Sequence, residues 1–172
     1  MAFKPFETFQ GLVDFTNIDA SASRVLPVGL IVRGADTASG QGAGEFIYLP
    51  GVASLAVGSL VTFNPLAKTV TLAAHTAHQA APLAVSMAAN TTTTSYGWFQ
   101  ISGVATITRV TGAKTRPAVP LFLSATAGSV QSVASAGLEV LNCVSVNAAT
   151  VASATTTIQA IINRPFAQGQ IT

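Results

Sequence analysis

The sequence predicts an all-β protein, a compact antiparallel β-barrel or β-sandwich with an extended, Phe-rich N-terminal arm, and three observations lead there. Apolar residues recur with period two in segments of about five to nine residues. Clusters of Gly, Pro, Asn and Ser/Thr separate those segments, so no helical pattern runs for long. Finally, 49% of the 172 residues are hydrophobic and only 8% are charged, against roughly a quarter charged in an average soluble domain. Such a chain can bury a sizeable core, and with mean hydropathy +0.54 it is not a disordered one.

Taken in order, residues 1–24 form the arm and 25–172 a single β domain, with a secondary break near 90–95. The arm carries four of the nine Phe, namely Phe3, Phe6, Phe9 and Phe15. Termini fray unless something ties them down, so these rings are expected either on the domain's own core or on a neighbouring subunit. A short helix is expected over 8–15. Strands follow at 28–33 and 45–49, joined by the Gly-rich stretch 34–44, which reads as a flexible surface loop. Strands at 59–63 and 69–73 flank Asn64-Pro65-Leu66-Ala67-Lys68, a hairpin turn in which Pro presets the dihedral and Asn tolerates turn geometry. Residues 69–73 open on three β-branched side chains, Thr69, Val70 and Thr71, which sit comfortably on a pleated surface and lose rotamer freedom in a helix. A second short helix is expected over 73–81, then a strand at 83–87 and a polar loop tip at 90–95. The segments 97–102 and 104–110 are separated by a tight turn or bulge at Ser102-Gly103. The last strands are 119–124, 129–133, 138–146 and 155–163.

Composition and motif tests exclude most chemistry. No stretch approaches the ~18 uninterrupted apolar residues of a spanning helix, because the best candidate, 80–89, contains Pro82 and Ser86. The first ten residues lack the apolar core of a secretory leader, and Glu7 and Asp14 argue against a transit peptide, so a cytosolic origin is expected. The sequon Asn90-Thr91-Thr92 then carries no weight. One cysteine, Cys143, rules out an intrachain disulfide and a multi-Cys metal site, leaving a small buried hydrophobe. The net charge of +2 comes from eight Lys and Arg scattered almost singly, which is no nucleic-acid footprint. Tyr96, Trp98 and Phe99 have too few cations around them for a single-strand platform, so Trp98 reads as core or interface packing.

Catalytic patterns fail in turn. The Gly-rich stretch lacks the Lys-Ser/Thr ending of a P-loop, and no Gly-x-Ser-x-Gly elbow exists. Only His75 and His78 could act as bases in a serine hydrolase, the one enzymatic competitor. Their i, i+3 spacing suits a metal on a helix, but no Asp, Glu or Cys lies between Glu45 and Glu139, so exposed or capping histidines are expected. Six acids spread singly make no glycosidase pair. No enzyme activity, metal or cofactor is expected. A surface this poor in charge suits subunit contacts better than a free monomer, which points to a symmetric structural oligomer.

The run Ser95-Tyr-Gly-Trp-Phe-Gln-Ile-Ser-Gly-Val-Ala-Thr-Ile107, then Pro120-Leu-Phe-Leu-Ser-Ala-Thr-Ala-Gly-Ser-Val130, Val140-Leu-Asn-Cys-Val-Ser-Val146 and Ile162-Asn-Arg-Pro-Phe-Ala-Gln-Gly169 resembles small virion proteins of tailed bacteriophages. It is most similar to head decoration, or cement, proteins, over about residues 95–169. The resemblance implies a β domain, commonly trimeric, made in the host cytoplasm and carried on the capsid exterior, where it binds the major capsid protein and stabilises the expanded head; nucleic acid and membrane are not expected partners. On this reading the interface residues are expected to be Phe3, Phe6, Phe9, Phe15, Trp98, Arg109, Arg116 and Arg164. The alternative is a head fibre or spike that binds a host-surface glycan or receptor, with residues 91–94 and the rings of Tyr96 and Trp98 forming a sugar-stacking face.

Overall fold

In a computed structural model of the chain, which describes residues 3–5, 14–20, 26–36 and 41–170, the period-two pattern becomes eleven strands and, among the described residues, no helix. They are β1 (Phe3–Pro5), β2 (Ile31–Asp36), β3 (Gly42–Pro50), β4 (Leu60–Phe63), β5 (Val70–Leu72), β6 (Leu83–Ser86), β7 (Tyr96–Thr108), β8 (Pro120–Leu123), β9 (Val130–Gln131), β10 (Glu139–Ser145) and β11 (Thr157–Ala167). All pair antiparallel in one curled, half-barrel sheet. Its main path runs β1-β2-β3-β7-β11-β10-β8-β9, while β6 pairs with β7 and carries β4 and β5 as a branch.

Strand β7 is the spine. Its first half pairs with β3, from Pro50↔Tyr96 to Glu45↔Ser102, and its second half pairs with β11, from Asn163↔Ser102 to Thr157↔Thr108. The two segments expected at 97–102 and 104–110 are therefore one strand: its register with β3 shifts at Ile101, between Phe46↔Gln100 and Glu45↔Ser102, while Gly103 stays paired with Ile162 of β11. Gly103 has φ +99°, and a Cβ there would stand 2.5 Å from the Ala43 carbonyl oxygen. Buried Gln100 spans the kink, its Nε2 donating to the carbonyls of Ser102 at 3.0 Å and Val104 at 3.1 Å.

Three further expectations change. Residues 34–36 and 42–44 are not loop but the ends of β2 and β3, paired Gly34↔Gly44, Ala35↔Ala43 and Asp36↔Gly42. Small side chains allowed close strand approach where flexibility was expected. Residues 73–81 form no helix, because His78 and Ala80 take φ +63° and +48°, outside the right-handed helical region. Of the helix expected at 8–15, residues 8–13 lie outside the described residues, and Asp14 opens a turn closed by Asn17 N–H at 2.9 Å. The hairpin turn at 64–68 forms as expected, with Asn64 Oδ1 accepting from the N–H groups of Leu66 at 2.9 Å and Ala67 at 2.8 Å.

Alternation sorts the core into three clusters. Along β3, Ile47 and Leu49 face one cluster with Phe99 and Ile101, while Phe46 and Tyr48 face another with Trp98 and Phe15. A strand buried on both sides reads as a continuous apolar run, as Phe46-Ile-Tyr-Leu49 does. The third cluster holds the inward side chains of β7, β10 and β11, including Ile107, Val140, Cys143, Ile158 and Ile162.

Candidate functional site

The solvent side of β10 and β11 departs from the rule that a half-exposed strand presents polar groups to water. Val144, Ile161 and Val104 stand directly opposite one another across β10, β11 and β7, with Ile161 50% exposed and Val144 38%. Leu141 and Phe166 form a second exposed cross-strand pair. Val146, also exposed, extends this surface past the end of β10, its N–H bonded to the Gln159 carbonyl at 2.9 Å.

Between those two rows the hairpin is bulged. Cys143 pairs with Ile162 but Leu141 pairs with Phe166, so Asn163, Arg164 and Pro165 stand against the single residue Asn142. Asn142 and Arg164 both adopt left-handed backbone, φ 57° and 48°, a conformation costing about 1 kcal/mol or more per non-glycine residue. Bulges re-aim side chains. Here the bulge ends the β7 pairing at Asn163 and turns the strand end toward Pro82, which bridges to Phe166. The Arg164 guanidinium meets Glu45 Oε2 at 3.0 Å, and Arg33 meets Glu45 Oε1 at 3.3 Å. Both arginines are more than half exposed, so the pairs add little stability, each up to about 1 kcal/mol.

Beside Arg164 lies a cavity of about 310 Å³. Its walls include Ile31, Ile47, Phe63, Ile101 and Phe166, and its two cations are Arg164 and Lys68. The hydrogen-bonded 64–68 turn places Lys68, whose Cε passes 3.8 Å from where a Gly29 Cβ would stand. Leu66 at the apex of that turn is 91% exposed.

The residues expected at an interface are not gathered in one place. Phe6 and Phe9 lie outside the described residues. Phe3 is in β1, paired with Asp36 on β2. Phe15 is fully buried, stacked on Phe46 at 4.1 Å and edge-on to Trp98 at 5.2 Å, so it belongs to the chain's own core. Trp98 is buried in the same cluster and offers no face to a sugar, while Tyr96 is half-buried and stacked on Tyr48. Arg109 is 5% exposed. It donates to the carbonyls of Ala152, at 2.9 Å, and Ala113, burial lowers its pKa, and its charge serves two loops rather than a partner. Arg116 is exposed and, among the described residues, has no carboxylate within ion-pair distance. Of the expected interface residues whose side chains are described, only Arg164 stands at the surface just described.

Both histidines are exposed, as expected; His78 lies against Gly137 and its Nδ1 is 3.1 Å from the Gly169 carbonyl oxygen. Among the described residues no three His, Cys, Asp or Glu side chains group as metal ligands. Asn90 of the sequon is 3% exposed with its Nδ2 buried, so its amide is not accessible for modification. Burial pushes the Cys143 thiol up to about 12. No helix among the described residues is long and apolar enough to cross a membrane.

Sequence reasoning missed Leu141, Val144, Ile161, Phe166 and Lys68. A signal was present for the first four: Val140-Leu141 and Ile161-Ile162 are apolar at both parities of their strands, which marks a second face that avoids water. Nothing in the sequence marked Lys68, because its position depends on strands distant in the chain. Comparison with known proteins found no matching family model, no matching curated protein and no matching solved structure.

Proposed function

We propose that this chain is a structural, non-enzymatic virion protein, a cement protein that assembles as a homotrimer on the outer surface of a tailed-phage head and stabilises the expanded shell through the major capsid protein. The observation that carries the reading is the apolar row of half-buried Val104 with exposed Ile161 and Val144, and its exposed neighbours Leu141 and Phe166. A chain with 8% charged residues has few groups to spare for a free surface, and apolar cross-strand rows are stabilised when a partner removes them from water. Small side chains elsewhere, and the resemblance of residues 95–169 to decoration proteins, point the same way. The spike alternative loses one of its two stacking rings with the burial of Trp98, and the other, Tyr96, is half-buried.

Co-sedimentation with expanded and unexpanded heads tests this. The wild-type chain should pellet with expanded heads at a copy number comparable to that of the capsid subunits. We assign this row to the contact between sister subunits, so Ile161→Asp, at a half-exposed position, should fold normally, fail to form the trimer and pellet at least about tenfold less, since it places an unpaired carboxylate where that apolar contact is needed. Failure of the wild-type chain to pellet with expanded heads, or a copy number of only a small minority, would remove the cement reading.

A further inference from the structure

The cavity between β2, the 64–68 turn and the end of β11 shares Phe166 with the β10–β11 surface, but its other apolar walls, Ile31, Ile47, Phe63 and Ile101, lie outside the contact assigned to sister subunits. It lies at the small end of the range of ligand cavities, and Ile31, Ile47, Phe63, Ile101 and Phe166 make its lining apolar. Its electrostatics are one-sided. Arg33 and Arg164 share the single carboxylate of Glu45, and Lys68 has no ion-pair partner among the described residues, so this patch carries an excess of two positive charges on a chain whose total is +2. An apolar hole rimmed by unbalanced cations selects an apolar group attached to an anion.

The geometry points to a docking site for an extended segment of a partner protein in which a large apolar side chain stands beside Asp or Glu. This deepens the cement reading and rests on it only for the identity of the partner, the shell. A second copy of this chain fits poorly. The knob nearest the cavity, Leu66, is two residues from Lys68, so inserting it into another copy would set cation against cation. Of the chain's six acids, Asp14 accepts from the Thr16 N–H at 3.1 Å, Asp19 from the Tyr48 hydroxyl at 2.6 Å, and Glu45 is held by its two arginines; Glu7, beside Phe6, Asp36 and Glu139 remain, and a second copy entering through any of them is the dilution outcome of the test below.

Three synthetic peptides, N-acetyl-Asp-Phe-Glu amide, N-acetyl-Asp-Ala-Glu amide and N-acetyl-Lys-Phe-Lys amide, titrated into the isotope-labelled full chain and followed by NMR, test the site. The acidic Phe peptide should shift Ile31, Phe63 and Ile101 saturably. The Ala peptide should bind about tenfold more weakly, having lost the buried ring, and the basic peptide about fivefold more weakly or less tightly still. Lys68→Glu, at an exposed position, should cost the acidic peptide about fivefold without altering the rest of the spectrum. No shifts at the cavity, equal binding of the acidic and basic peptides, or cavity resonances that move on dilution without peptide, the sign of a second copy in the hole, would each overturn the proposal. Peptide binding by a chain that does not pellet with heads would remove the cement reading and leave the site; pelleting with heads but no peptide binding would do the reverse.

Discussion

Phe15 and Cys143 are buried for different reasons. Phe15 comes from the arm whose rings were expected on the chain's own core or on a neighbour, and it takes the first course, filling a slot between Phe46 and Trp98, with its segment fixed by paired backbone bonds of 2.8 Å between Asp19 and Tyr96. Phe15→Ala should therefore lower the unfolding free energy by about 3–5 kcal/mol in urea denaturation, with the oligomeric mass of the folded fraction unchanged. The Cys143 thiol is held in its neutral form by desolvation, which raises its pKa from 9.0 to about 12. At pH 8 the native protein then holds roughly a thousandfold less thiolate than a free thiol, so an aromatic disulfide reagent should react far more slowly than it does after denaturation. The sign of the linkage follows. The unfolded thiol loses its proton first, so the stability Cys143 contributes is intact below pH 9 and is lost as the pH rises from about 9 toward 12. In Cys143→Ala that part of the alkaline fall should disappear from unfolding curves measured across the window.

At the scale of elements, the strand rhythm was legible because period two is enforced wherever one face is buried: β3 to β11 fall within a few residues of the segments read from the sequence. What escaped was decided by distant partners. Nothing local in Phe3–Pro5 marks β1, which forms because β2 offers it an edge, and the Asp19 bridge needs the start of β7. The helix expected at 73–81 gives way to a distant partner too: His78 takes φ +63° and donates its backbone N–H to the Gly137 carbonyl at 3.0 Å. The docking surface was half legible: adjacent apolar residues in β10 and β11 were visible, but their pairing across the bulge was not. Gly103 is the joint on which β7 serves both β3 and β11. Gly103→Ala combines positive φ with a carbonyl clash and should cost about 2 kcal/mol or more, read as a lower denaturation midpoint, with Gln100 losing its hydrogen bonds across the kink.

For the whole molecule, the shortage of charge acquires a location. The ion pairs in the described residues converge on Glu45, and an excess of positive charge gathers there with Lys68, while the β10–β11 surface nearby is apolar. A trimer held by that surface is driven by removing apolar area from water, so moderate salt should leave it intact, in contrast to an assembly held by ion pairs. The most direct test is sedimentation equilibrium of the purified full chain over a hundredfold dilution. The account predicts a mass of three copies of the 17.4 kDa chain that persists on dilution and falls to a folded single copy in Ile161→Asp; a wild-type chain that sediments as one copy throughout would contradict it.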